Sequence, residues 1–181
     1  NSLSEHASFI ISHLEKNFIE DKSGNHYLSN LLGLLFIGHY IKNKKHFRWY
    51  RFAVREYQRE ITRQYLPDGG IYEFSTAYQR LDSELTALAL AIMLGSNEDI
   101  STNIVQRFSR SLDVMNSIIG PDGKIIQIGD NDSGHALVLC PVRDKRSPLE
   151  VCKENALSAE PTLNMMQALF ANYSTRTTIE G

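Results

Sequence analysis

"YLSNLLGLLFIGHYI", residues 27–41, decides how the chain is read. Leu28, Leu31, Leu32, Leu34, Leu35, Phe36 and Ile37 leave a helix here with no polar face, so it should be buried on most sides. Its fifteen residues fall short of the roughly twenty needed to cross a bilayer. What remains is a central helix surrounded by others. Gly33 and Gly38 would let a neighbour approach closely, at a cost of about 1 kcal/mol each relative to Ala.

Working outward, the flanking segments carry helical spacing too. Ser4 is a candidate cap for a first helix whose apolar face runs Ala7, Ile10, Ile11, Leu14 and Phe18, before "DKSGN" breaks it. A third helix is expected from Lys44 to Tyr65, with Phe47, Tyr50, Val54, Tyr57 and Ile61 as one stripe. Arg48, Arg51, Arg55 and Arg59 form a basic stripe beside it. It is either a solvated face with Glu56 and Glu60 as partners, or a contact for a sugar acid.

After the "PDGG" turn, Thr76 and Gln79 fit a capping box, opening a fourth helix. That helix carries Tyr78, Leu81, Leu85, Leu88 and Ile92 and stops near Gly95. A fifth runs from about Ile100 to Ile118, with Ile104, Phe108, Leu112 and Met115 inward, and a last covers Pro161 to Tyr173. Between them, residues 123–142 read as a short β-hairpin or an ordered loop. The class is mainly α. Successive helices joined by short loops suggest hairpins stacked side by side, as in a toroid or solenoid.

Composition agrees with a packed core: of 181 residues, 42% are hydrophobic and 22% charged. A net charge of −2 gives no global basic bias towards nucleic acid. Cys140 and Cys152 are too few for a disulfide framework and lack zinc-ligand spacing. The chain begins at Asn1 rather than Met and carries no visible signal peptide, as expected of a piece of a longer protein.

Chemistry-bearing residues gather at helix starts and in loops. Asn25 and His26 stand at the entrance of the apolar helix, where Asn25 is either a cap or a functional amide. Tyr72, Glu73, Tyr78 and Arg80 surround the next handover, where a plain linker needs only Gly, Pro, Ser and Asp. Tyr78 either continues the apolar stripe or reaches a cleft, and Glu73 and Arg80 either pair or serve a ligand. Asp130, Asn131 and Asp132 invite a calcium reading, but Gly134 falls fifth and Pro141 twelfth, so the EF-hand loop is rejected. No metal and no cofactor is expected. Glu73 and Asp132 are also a formal carboxylate pair for glycoside hydrolysis, a mechanism decided by their separation.

Three stretches in this order resemble the heparinase II/III-type polysaccharide lyases and their alginate-lyase relatives. They are "GNHYLSNLLGLLFIG", "EYQREITRQYLPDGGIYEFSTAYQRL" and "PDGKIIQIGDNDSG", and "EHASFIISHLEKN" is similar to the preceding helix. The element DGG-x-x-E-x-S-x-x-Y, from Asp68 to Tyr78, is the most specific part. Many relatives carry His after the motif Tyr, where this chain has Gln79.

The resemblance implies that residues 1–181 are part of one α/α toroid domain, an incomplete toroid lacking the family's following β-sandwich domain. It implies cleavage of uronic-acid polysaccharide by β-elimination in a bacterial, periplasmic or cell-surface setting. Asn25 and His26 would neutralise the sugar carboxylate. Tyr78 would give the departing oxygen a proton, or act as base if Arg80 and protonated His26 lowered its pKa. Tyr72, Glu73, Arg80, Asp130 and Asp132 would bind substrate, with Glu73 orienting Arg80 or holding a sugar hydroxyl. The competing readings are a non-catalytic acidic-glycan binder on the same fold and a helical-repeat interaction module.

Overall fold

The computed structural model describes residues 2–14, 24–41, 43–132, 134–136 and 157–179. Among them are six helices: α1 (Ser2–Ser12), α2 (Asn25–Tyr40), α3 (Lys44–Gln64), α4 (Thr76–Gly95), α5 (Thr102–Ser117) and α6 (Glu160–Ile179). The fold is mainly α. None of these helices is long and apolar enough to cross a membrane. Phe18, the start of the "DKSGN" break, residues 133 and 137–142 of the expected hairpin or loop (Cys140 among them), and Cys152 lie outside the described residues.

The apolar stretch is the centre. α2 packs against α1, α3 and α4, and buries Tyr27, Leu28, Leu31, Leu32, Leu34, Leu35 and Ile37. Its two glycines differ in purpose. A Cβ on Gly38 would lie 2.5 Å from Tyr50 Cβ and 3.1 Å from the His46 carbonyl, so α3 rests on bare backbone there. A Cβ on Gly33 would meet only the tip of Ile10, at 3.0 Å. Gly38→Ala is therefore expected to destabilise by about 1–3 kcal/mol through overpacking. Gly33→Ala should be neutral or mildly stabilising, since helix propensity offsets a small shift of a flexible side chain. Denaturant unfolding of both variants checks the contrast.

α3 is capped by Asn43, whose side chain accepts from the His46 N–H at 3.0 Å. Tyr50, Val54, Tyr57 and Ile61 face inward as the spacing predicts. Phe47 does not: it is 58% exposed, because the stripe overruns the edge of the partner helices at α3's first turn. On the basic face, Glu56 takes Arg59 at 2.8 Å and Arg55 at 3.7 Å, Glu60 takes Arg63 at 2.9 Å, and Arg51 pairs with Glu98. Both α3 carboxylates are nonetheless buried, so the guanidinium groups reach in to them from solvent.

α4 corrects the single-stripe reading. Of the five stripe residues only Leu85 is fully buried, whereas Gln79, Arg80, Asp82, Ser83, Glu84 and Thr86 are buried too. α4 lies among α2, α3, α5 and α6, so most of its faces meet protein, with Ala91 and Gly95 left exposed. Its cap also differs from the expected box. Ser75 is the cap, accepting from the Tyr78 N–H at 3.2 Å. Gln79 points inward: it accepts from Ile71 N–H at 2.9 Å and donates to Gly69 O at 3.1 Å and to Ser111 Oγ at 2.9 Å. Gln79 is thus a clamp holding the PDGG turn to α4 and α5.

α5 buries Ile104, Phe108 and Met115, and leaves Leu112 half-buried. Residues 118–132 form an ordered loop. Isolated antiparallel bridges join Ile119 to Ile125 and Lys124 to Ser158, with no strand among the described residues.

Candidate functional site

Two loops meet at the N-terminal ends of α2 and α4. The first is residues 71–75. Its Phe74 has φ +52°, uncommon for a residue with a side chain, and stands 76% exposed. The second is residues 126–132, pinned onto the first. The Thr76 hydroxyl donates to Ile126 O at 2.7 Å and accepts from the Ile128 N–H at 3.0 Å, and Ser75 Oγ donates to Asp130 O. Gly129, at φ +78°, lets the backbones touch, since a Cβ would lie 2.8 Å from Phe74 O and 3.1 Å from Ser75 Cα.

At the α2 end, Asn25 is not the cap. Gly24 holds that position in extended geometry with no capping side chain. The carboxylate of Glu73 takes over, 48 residues away in sequence: Oε1 accepts from the Asn25 N–H at 3.2 Å and Oε2 from Nδ2 at 3.4 Å. An anion belongs at this helix end, where unpaired N–H groups carry partial positive charge. Tyr72 stands beside it, its hydroxyl 3.5 Å from where a Gly24 Cβ would be. His26 is the next residue and is exposed.

At the α4 end, the Tyr78 hydroxyl donates to Asp132 Oδ2 at 2.6 Å. That bond, with some desolvation and the charges of Asp132, Asp130 and Glu73, pushes the phenol up to about 12. A carboxylate that accepts the phenol's proton in a hydrogen bond stabilises the neutral form. Among the described residues the charges that shift Tyr78 are those of Asp132, Asp130 and Glu73, all of which raise its pKa, opposite to the lowering expected from Arg80 and His26. Asp130 and Asp132 are both exposed, which leaves this rim open to solvent.

Arg80 faces away from the rim. It is 1% exposed, donates through Nη2 to Gly134 O at 2.9 Å, and has Nε 3.9 Å from Glu84 Oε1. Glu84 in turn receives His135 Nδ1 at 2.8 Å, Ala136 N–H at 2.7 Å and Thr162 Oγ1 at 2.7 Å. The pair ties residues 134–136 and α6 to α4. Glu73 therefore neither pairs with Arg80 nor orients it; its partner is Asn25.

One residue the motif reading passed over lies beneath. Asp82 is fully buried, and neither of its carboxyl oxygens has a hydrogen-bond partner among the described residues. Burial first, then the charge of Glu73, raises its pKa well above the ordinary value. Its position four residues after Tyr78, on the same helix face, was the available signal. A carboxyl whose folded pKa exceeds its unfolded value of about 3.9 binds more protons when folded. Stability should then fall as pH rises from about 4 towards the folded pKa, by up to about 1.4 kcal/mol per pH unit. Asp82→Asn should remove that contribution, which unfolding curves across pH 4–7 would reveal.

An open hollow lies elsewhere. A cavity of about 660 Å³, lined by Gly38, His39, Phe47, Tyr50, Ser96 and Glu98 among others, opens at the opposite ends of α2 and α4. The candidate groups lie at an open rim instead. Among the described residues, no group of three His, Cys, Asp or Glu side chains is placed to hold a metal ion.

The family model described as "Heparinase II/III N-terminus" matches residues 1–145, which takes in both loops and every candidate residue. No curated protein and no solved structure matches the chain.

Proposed function

This chain belongs to the family of heparinase II/III N-terminal domains, and on that premise we propose that it is the helical part of a polysaccharide lyase. Its substrate is a uronic-acid-containing polysaccharide, cleaved by β-elimination. Its helical hairpins belong to an α/α toroid, and the rim at α2 and α4 is completed by a following β-sandwich domain of the parent protein. A bacterial periplasm or cell surface is the setting this implies.

The observation carrying the proposal is the Tyr78–Asp132 contact of 2.6 Å at an exposed rim, beside the Asn25–Glu73 pair. In the reaction, a base removes the proton from the carbon bearing the carboxylate. The electron pair forms the new carbon–carbon double bond, the bond to the glycosidic oxygen breaks, and that oxygen takes a proton. Asn25 and His26 counter the negative charge that grows on the carboxylate. A phenol held near 12 is almost wholly protonated at neutral pH. Tyr78 therefore acts as the acid that protonates the departing oxygen. It serves as a base only once contact with substrate moves Asp132 off the hydroxyl.

Tyr72, Asp130 and Asp132 are the remaining sugar-facing groups of this reading. Arg80 supports the loop from inside rather than touching a sugar. The experiment is direct: express the complete parent protein, supply unsulfated and sulfated uronate polymers, and follow the unsaturated product by its ultraviolet absorption. Binding without product from any uronate polymer would make the chain a non-catalytic glycan binder, a reading favoured by the raised pKa of Tyr78, which leaves the phenol a poor base.

A further inference from the structure

The hollow at the far ends of α2 and α4 is built differently from the rim. Its volume of about 660 Å³ lies within the range of about 300–1,000 Å³ usual for small-ligand sites. The last turns of α2 and α4 and the first turns of α3 enclose it. Tyr50 crosses its floor: its Cβ rests on Gly38 of α2, and its hydroxyl end lies towards Ser96 and Glu98. The residue is 5% exposed, yet its hydroxyl has no hydrogen-bond partner among the described residues. Burial is the main cause that pushes this phenol above its ordinary pKa. Folded proteins keep few walled-in hydroxyls without a partner, because each has given up water for nothing.

The rest of the lining suits a ligand that is apolar on one side and hydroxylated on the other. Phe47, one turn before Tyr50 on α3, is exposed and lines the hollow. His39 Nδ1 and Ser96 Oγ lie 2.9 Å apart and join the ends of α2 and α4. An imidazole has a second ring nitrogen and a hydroxyl a further lone pair, so the pair has capacity for another contact. Charge narrows the class. Lys44 lines the hollow, and the carboxylate of Glu98 is already taken by Arg51. A cation would meet Lys44 and Arg51. An anion would meet Glu98 and two helix C-termini, which carry partial negative charge.

We propose that this hollow is a second sugar site, which holds one neutral pyranose unit of a glycan. The Tyr50 hydroxyl is its inner hydrogen-bond partner, and the Phe47 ring meets the apolar C–H face of the sugar. The site binds and does not cleave. It lies at the opposite ends of α2 and α4 from the rim, so it stands whether or not the rim eliminates uronates.

The test is saturation-transfer NMR on the complete parent protein. The probes are the methyl glycosides of D-glucose, D-galactose and D-mannose, with sodium D-glucuronate and glycerol as controls. At least one neutral glycoside should bind more tightly than either control. Tyr50→Phe and Phe47→Ala should each weaken that binding about three- to tenfold, the range of one net hydrogen bond or a comparable contact. Without sugar, Tyr50→Phe should unfold at the parent's temperature or above it, since it deletes a hydroxyl that has no partner. Undiminished binding in either variant would overturn the proposal, as would no binding by any of the three glycosides. So would glucuronate or glycerol binding as tightly as the best of them. A lower unfolding temperature for Tyr50→Phe would overturn it too, by showing that the hydroxyl is already bonded within the protein.

Discussion

Replacing Tyr78 by Phe should lower turnover of a uronate polysaccharide by about 10²–10⁴-fold, the range that a positioned proton donor contributes. The ring keeps its half-buried packing against the core, so the fold should tolerate the change. What is lost is the hydroxyl that now donates to Asp132 at 2.6 Å. KM should move little, because the proton is transferred only as the glycosidic bond breaks. Product absorbance in the ultraviolet gives kcat and KM together. Turnover equal to the parent's would remove Tyr78 from the chemistry.

A companion variant tests the electrostatics. Asp132→Asn removes the largest cause of the raised phenol pKa. Deprotonation of Tyr78 should then begin at lower pH, and the alkaline limb of the rate profile should move towards neutrality. An unmoved limb would show that some other group sets it.

The second large effect concerns stability. Gly69→Ala should destabilise the protein by about 3 kcal/mol or more. Gly69 has φ +93°, and a Cβ there would lie 2.3 Å from Arg110 C, 2.4 Å from Ser111 N and 2.6 Å from Arg110 O. These are backbone atoms of α5, which cannot step aside as a side-chain tip can. Relief requires the turn to lift away, breaking the Gln79 contacts to Gly69 and Ile71.

Gly70→Ala is the control. Its Cβ would find only Asp68 Oδ1, at 3.4 Å, an ordinary contact, so its cost should stay within about 1 kcal/mol. Equal losses in the two variants, measured by denaturant unfolding, would defeat the close-approach argument. The clamp also bears on activity, because the turn leads directly into Tyr72 and Glu73.

Much of the helical frame was legible beforehand. The starts and stops of α2 to α5 agree with the periodic reading to within about two residues, since apolar spacing and the Gly breaks are local signals. The site was legible as residue types but not as partnerships. Ser75 and Thr76 both suit a cap, and only the docking of residues 126–128 on Thr76 leaves the task to Ser75. Arg80 looks like a ligand for an anionic sugar until Gly134 and Glu84 are seen to claim it from within. Asp82 looks like a solvated helix residue until its surroundings close over it.

By itself, then, the sequence determined which segments are helices, that the 27–41 stretch lies at their centre, and which family motif the turn after α3 carries. Periodicity and motif order are properties of neighbouring residues, readable without coordinates. Only the tertiary structure decided that Glu73 sits on the α2 N-terminus, that Tyr78 is held by Asp132, and that Arg80 and Gln79 are internal clamps. Those partners lie 32 to 54 residues apart in the chain. A polar side chain's role depends on what surrounds it after packing. Burial and the nearest opposite or like charge set that role, and neither is a property of the local sequence.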